Sequence, residues 1–183
     1  ITGLIGQYAH GNEPSHHMAY LYNFANKPFK TQEKVRQILT ELYTNTPDGI
    51  SGNEDCGQMS AWYVFSSMGF YPVTPGSNDY IIGSPLFKKA TINLENGKKF
   101  IIQAENVSAT HIYIKKVLLN NLELNRTYLK HDEIMAGGTL TFEMSRSPSK
   151  WGTIEGQEPR TEIKEHLITP APYINEGDIA FKN

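Results

Sequence analysis

The stretch Asp48-Gly49-Ile50-Ser51-Gly52-Asn53-Glu54-Asp55-Cys56-Gly57-Gln58 sets three acidic side chains among three glycines and runs directly into a segment with helical spacing. Glycine lets backbone approach a ligand closely or take a positive φ, and the helix that follows opens with unpaired N–H groups at the positive end of its dipole. A loop of this composition suits ligand binding or acid–base work. The same residues also fit a capping box, with Asp55 as N-cap and Gln58 at the third helical position, and spacing alone leaves both readings open.

A second polar loop, His10-Gly11-Asn12-Glu13-Pro14-Ser15, also precedes a helical stretch and also carries a carboxylate. Asn12 and Glu13 could face a ligand from this loop; the bland alternative is a capping Asn and a first-turn Glu. The adjacent pair His16-His17 does not make a zinc site, because neighbours on a helix diverge by about 100° and cannot easily grip one ion. Cys56 has no base beside it in sequence, and a buried structural thiol is the default for such a residue.

The elements that must position these loops follow from periodicity. A helix is expected from Pro14 to about Phe24, with Met18, Ala19, Leu21, Tyr22 and Ala25 spread around its circumference. Thr31 is expected to cap a second helix, in which Val35, Ile38, Leu39, Leu42 and Tyr43 form a one-sided stripe ended by Pro47-Asp48-Gly49. Met59, Trp62, Tyr63, Ser66 and Phe70 mark a third, closed by Gly69. Three helices that alternate in direction bring loops one helix pair apart onto one face.

Past Tyr71-Pro72-Val73-Thr74-Pro75-Gly76 the pattern changes to short strands. They are expected at 79–82, 88–94, 99–105, 111–119, 123–129 and 139–144, with Asn96-Gly97 and Gly137-Gly138 as turns, which reads as an antiparallel β-sandwich. Beyond Pro148 periodicity fades, and the tail with Trp151, Pro159, Pro170 and Pro172 is expected to drape over another surface.

Composition narrows the partners. The 183 residues, 39% apolar and 20% charged, can bury a core as one ordinary domain or two small ones. A formal charge of -2 with dispersed lysines gives no argument for nucleic acid or an anionic membrane. No apolar run approaches the twenty or so residues of a membrane span, and the first residues do not form a signal-peptide pattern. One cysteine leaves the redox compartment open, and the glycosylation-type triplets at Asn106 and Asn125 are commonly chance matches. The loop-like start at Ile1-Thr2-Gly3 reads as an internal cut in a longer chain.

Three passages taken in order, Gly11-Asn12-Glu13-Pro14-Ser15-His16-His17, Asp48 through Val64, and Met68-Gly69-Phe70-Tyr71-Pro72-Val73, resemble the carboxy-terminal part of the glycoside hydrolase family 92 exo-α-mannosidases. The likeness is specific up to Pro75 and rests on domain order beyond it. It implies an enzyme with an amino-terminal β-sandwich, an (α/α)6 toroid and a carboxy-terminal β-sandwich, which binds a terminal mannose with calcium and hydrolyses it, at linkages of the α-1,2 type, with inversion. The fold class expected here is α+β: residues 1–73 as the last helices of the toroid, 74–183 as the sandwich with its tail.

An inverting glycosidase needs one carboxylic acid for the leaving oxygen and one carboxylate, about 6.5–9.5 Å away, to activate water. Asp55 matches the family's general base, while the family's acid lies in an upstream motif absent from this sequence. By the same resemblance Glu13, His16 and Asn53 are expected to bind the sugar, and Asn12 and Glu13 to face calcium. Where many members carry Asp-Glu-Asp, this chain has Asn53-Glu54-Asp55; Asn53 can hold a water but cannot take its proton.

The partners implied are mannose-containing glycans outside the cytoplasm, hence a secreted, periplasmic or cell-surface setting, and the missing amino-terminal part of the same polypeptide. Isolated, the chain is expected to be inactive and to self-associate through helical faces built for absent neighbours. The competing readings are a non-catalytic carbohydrate-binding or interaction module, and a sandwich that only closes the toroid.

Overall fold

The computed structural model describes residues 2–160. The chain opens with an antiparallel hairpin of β1 (Leu4–Ile5) and β2 (Tyr8–Ala9), followed by two 3-10 segments, Glu13–Ser15 and Met18–Asn23. These replace the expected α-helix. A 3-10 helix repeats every three residues, so Met18, Leu21 and Phe24 share one exposed face while Tyr20 and Asn23 share a buried one. The buried face is fastened by polar bonds, Tyr20 Oη to Ser66 Oγ at 2.8 Å and Asn23 Nδ2 donating to the Ile82 carbonyl at 2.7 Å.

Helix α1 (Pro28–Glu41) begins three residues before Thr31, because Pro28 fits the first turn, where its missing N–H costs nothing. Val35, Ile38 and Leu39 are buried as the stripe requires, and Leu42 and Tyr43 continue onto the same core from beyond the helix end. Its other face is polar and fastens the helix to the sheets. Arg36 donates to the Pro85 and Ser108 carbonyls at 2.7 and 2.9 Å, Gln32 Oε1 accepts the Ile114 N–H at 3.0 Å, and Tyr113 Oη donates to Glu33 at 2.7 Å. Helix α2 (Gln58–Met68) ends where expected, at Gly69 with φ 105.

The strands that follow are β3 (Phe70–Tyr71), β4 (Asp79–Ile82), β5 (Lys89–Asn93), β6 (Lys99–Glu105), β7 (Tyr113–Leu119), β8 (Leu122–Glu123), β9 (Tyr128–Lys130) and, after the short helix α3 (His131–Met135), β10 (Gly138–Ser145). They form a five-stranded sheet in the order β5-β6-β10-β7-β8 and a three-stranded sheet β3-β4-β9. Two expectations change. The strand expected over 123–129 divides, because the chain leaves one sheet after Glu123 and joins the other at Tyr128, with the buried Leu124 and Thr127 between. And β6 pairs with β10 in parallel, the long intervening chain giving room for that crossover, while the other pairs are antiparallel.

The three-stranded sheet is a shared wall. Phe70, Ile82 and Leu129 point into an apolar core with Phe100, Ile102, Val117, Leu140 and Phe142 of the five-stranded sheet. Their sequence neighbours Tyr71, Ile81 and Tyr128 point the other way, into a core with Tyr20, Val35, Ile38, Leu39 and Trp62. The period-2 alternation of a strand makes both contacts possible from adjacent residues. The division drawn at residue 73 therefore falls between two paired strands, since β3 precedes it and β4 follows.

Between 149 and 160 the tail does lie over the sheets: the buried Trp151 donates its indole N–H to the Leu124 carbonyl at 2.8 Å, and Ser149 donates to the Ile114 carbonyl at 2.6 Å. Pro170 and Pro172 lie outside the described residues.

Candidate active site

The two polar loops meet through glycine. At Gly11 a Cβ would stand 2.6 Å from the Ser51 carbonyl oxygen and 2.5 Å from Thr2 Oγ1, so the loop carrying Glu13 presses its bare backbone against the loop carrying Asp55. That contact sits two residues before Glu13 and four before Asp55. It is the local reason the two carboxyls converge.

Asp55 reaches this position on a strained backbone. Asp55, Cys56 and Gly57 all take left-handed conformations, with φ 47, 56 and 90, a run that costs the two non-glycine residues conformational energy. The arrangement departs from the capping box. Helix α2 starts at Gln58 with Gly57 as its N-cap and no side-chain cap there. Glu54 does the capping instead, accepting the Ser60 N–H at 2.8 Å and the Ser60 hydroxyl at 2.7 Å, and these bonds hold its carboxyl below the ordinary carboxylate range. Glu54 is thereby occupied, and Asp55 is left exposed. Cys56 is exposed too, contrary to the buried thiol expected, because the left-handed turn carries it outward with Asp55.

The Asp55 and Glu13 carboxyls lie within hydrogen-bonding reach of each other. Glu13 Oε1 is closed off from solvent and finds no protein donor while both groups are ionised. The bond to Glu13, and then its charge, raise Asp55 above the usual carboxylate range. Glu13 is lowered, first by a backbone N–H bond and then by the bond to Asp55. Two carboxyls whose affinities for a proton are pushed apart divide the roles of proton holder and anion between them.

Behind the pair lies a set of rings that sequence reading did not single out. His10 is wholly buried, and burial, with the neighbouring His16, pushes its imidazole down to about 3, so the ring is neutral. Tyr43 gives its one proton to the Met59 carbonyl at 3.0 Å, so the 2.6 Å bond from His10 Nε2 must be donated by the ring, and His10 Nδ1 accepts the Tyr8 hydroxyl at 2.7 Å. His10 also stacks on His16 at 4.6 Å and meets the edge of Trp62 at 4.5 Å. Tyr43 lies 33 residues from His10 in sequence, and only the fold brings it to the Tyr8–His10 pair.

His16 was expected to touch sugar; the structure buries it to 2% exposure with both ring nitrogens engaged. Nε2–H donates to the His10 carbonyl at 2.9 Å, and Nδ1 accepts from the Gln58 amide at 3.0 Å. Its role is to hold the Glu13 turn. Asn12 and Asn53 are exposed beside Glu13 and Asp55 in sequence, and Glu13 is half-buried. A cavity of about 540 Å³ lies next to the acidic loop, lined by Tyr43, Asn45, Pro47, Glu54, Tyr63 and Val64; neither Glu13 nor Asp55 belongs to its lining.

As donors for a hard cation, Asn12 and Glu13 fit in type: a solvent-facing side chain and an oxygen, Glu13 Oε1, that lacks a partner among ionised neighbours. Among the described residues no group of three or more His, Cys, Asp or Glu is arranged to hold a metal ion, so further oxygens would have to come from backbone, water or elsewhere. No helix among the described residues is long and apolar enough to cross a membrane.

Comparison with known proteins identifies the family. The model of the glycosyl hydrolase family 92 catalytic domain matches residues 1–146. The family GH92 alpha-mannosidase BT3965 from Bacteroides thetaiotaomicron, solved in complex with mannoimidazole, is 45% identical and superposes with a TM-score of 0.86 over 88% of this chain and 21% of its own. The family GH92 inverting mannosidase BT2199 of the same organism is 50% identical, with a TM-score of 0.79 over 84% of this chain and 21% of its own. A secreted glycosidase of Arthroderma benhamiae, itself described as uncharacterized, is 32% identical over 152 residues, 81% of this chain and 20% of that protein. The chain belongs to glycoside hydrolase family 92, and it spans about a fifth of the length of these relatives.

Proposed function

We propose that this chain is the base-bearing carboxy-terminal part of a secreted, calcium-dependent α-mannosidase that removes terminal mannose with inversion, its helices closing an (α/α)6 toroid and its two sheets forming the final sandwich. In this reading Asp55 takes the proton from the attacking water, Asn53 helps hold that water, and Glu13 with Asn12 faces the sugar and the ion.

The observation that carries the reading is the convergence of Asp55 and Glu13 at an exposed edge. Their closeness also supports a division of roles. An inverting pair stands about 6.5–9.5 Å apart and a retaining pair about 5–5.5 Å, so a carboxyl in hydrogen-bonding reach of Asp55 is neither its acid partner nor its nucleophile. Glu13 is thus a binding group, and the acid comes from the rest of the polypeptide. The raised proton affinity of Asp55 makes it the stronger base of the two once ionised. Bound calcium would supply a fixed positive charge to anchor sugar hydroxyls.

A glycan-binding module would instead display an aromatic platform on its sheets. Tyr80 packs against Phe65 and Phe70 and stacks on His131, and Tyr113 is tied to Glu33, which leaves neither ring free for that use. The exposed row Met18, Leu21 and Phe24 is the face we assign to the remainder of the polypeptide.

The test is turnover of an α-linked mannoside by the full-length polypeptide with calcium present. Asp55→Asn is expected to lower kcat by about 10²–10⁴-fold, the usual contribution of a general base, and chelation to remove activity that calcium restores. Parental turnover in the variant contradicts the base assignment. Glycan binding by the isolated chain, with the full-length protein inactive, favours the module.

A further inference from the structure

We infer that Gln58 is a positioning residue that couples the two carboxylate loops, acting through His16 on the Glu13 turn and through the start of α2 on Asp55; this rests on the reading of Asp55 as the base. Gln58 follows Asp55 by three residues and is the first residue of α2, while His16 follows Glu13 by three and closes its 3-10 turn. The bond between Gln58 and His16 therefore closes a ring through both loops: Glu13, His16, Gln58, Asp55.

The direction of each bond is fixed by its neighbours. His16 Nε2 faces a carbonyl oxygen, which only accepts, so the hydrogen of the neutral ring sits on Nε2 and Nδ1 is a bare acceptor. Gln58 must then present its amide nitrogen. That nitrogen has two hydrogens, and both are used: one to His16 Nδ1 at 3.0 Å, the other to Tyr71 Oη at 2.8 Å. His16 is held a third time through its carbonyl, which accepts the Trp62 indole N–H at 3.1 Å from one turn further along α2.

His16 thus meets α2 at two points a turn apart, and cannot rotate or slide along the helix without losing one of them. Gly11 sets how closely the loops approach, whereas Gln58 sets their relative register, and each control fails separately. A displacement of about 1 Å at a reacting group can cost on the order of 10²-fold in rate even when the changed residue never touches substrate.

The experiment uses the full-length enzyme carrying Gln58→Met, which keeps the length and bulk of the side chain and removes both donated hydrogens. Expected is a fall in kcat of about 10–100-fold, the range typical of supporting hydrogen bonds, with a rise in KM as the Glu13 turn loosens and calcium dependence retained. The decisive measurement repeats the substitution in an Asp55→Asn background. If Gln58 acts by placing Asp55, it has no further effect on the residual rate there, because residues that act as one unit are not additive; a merely structural role lowers both backgrounds by the same factor.

Equal factors in the two backgrounds, or a Gln58→Met enzyme with parental kcat, overturn the proposal. Parental activity in Asp55→Asn alone overturns the underlying reading instead, so the two failures are told apart.

Discussion

The two cores on either side of the β3-β4-β9 wall are built from different materials. The one shared with the five-stranded sheet is aliphatic and Phe-rich, filled by Ile82, Phe100, Ile102, Val117, Leu140 and Phe142. The one under the helices contains Trp62 and Tyr20, and is continuous with His10, His16, Tyr8 and Tyr43, whose polar atoms are bonded to one another. Apolar packing is non-directional and tolerates repacking, but a hydrogen-bonded ring has one orientation in which every donor finds its acceptor. The first core stabilises the fold. The second fixes the coordinates of two carboxyls.

Breaking each core in turn sharpens that contrast. The largest expected effect lies outside both cores, where the two loops touch: Gly11→Ala places a methyl group 2.6 Å from the Ser51 carbonyl and forces the loops apart, and is expected to lower kcat of the full-length enzyme by about 100-fold or more. Steady-state kinetics on an α-mannoside read it directly. Phe142→Ala, in the apolar core, should cost about 3–5 kcal/mol of stability in denaturant melts while the folded fraction keeps its kcat.

Tyr43→Phe is the converse case. It leaves the buried His10 Nε2–H without an acceptor, costing about 1–3 kcal/mol, less than Phe142→Ala, yet kcat falls because the first turn of α2 loses its bond at Met59. If kcat tracks stability equally in both variants, the division of labour is wrong. Smallest is Cys56→Gly, which relieves a left-handed non-glycine residue and should raise stability by about 1 kcal/mol in the same melts.

What the sequence made legible was whatever depends on local pattern. Strands 79–82 and 99–105 fell where their alternation put them, and Gly69 ended α2. The acidic loop and its partner were visible because glycine, proline and carboxylates cluster there. The 3-10 geometry of Met18–Asn23 was not, since it is selected by bonds from Tyr20 and Asn23 to residues 46 and 59 positions away. Nor was the helix cap, which the sequence offered to Asp55 as the alternative to a functional role; the left-handed run from Asp55 to Gly57 leaves that work to Glu54. His16 looked like a ligand for the same reason: a histidine beside an acidic loop reads identically whether its nitrogens face a sugar or a buried amide.

The division of work between Glu54 and Asp55 offers the most direct measurement. In the full-length protein with calcium present, kcat for an α-mannoside is compared between Asp55→Asn and Glu54→Gln, adjacent acids altered in the same conservative way. The account predicts a loss of about 10²–10⁴-fold for Asp55→Asn, and for Glu54→Gln a lowered melting temperature with far smaller loss of turnover, because its carboxyl only secures Ser60. Comparable losses at the two positions, or a larger one at Glu54, would contradict it.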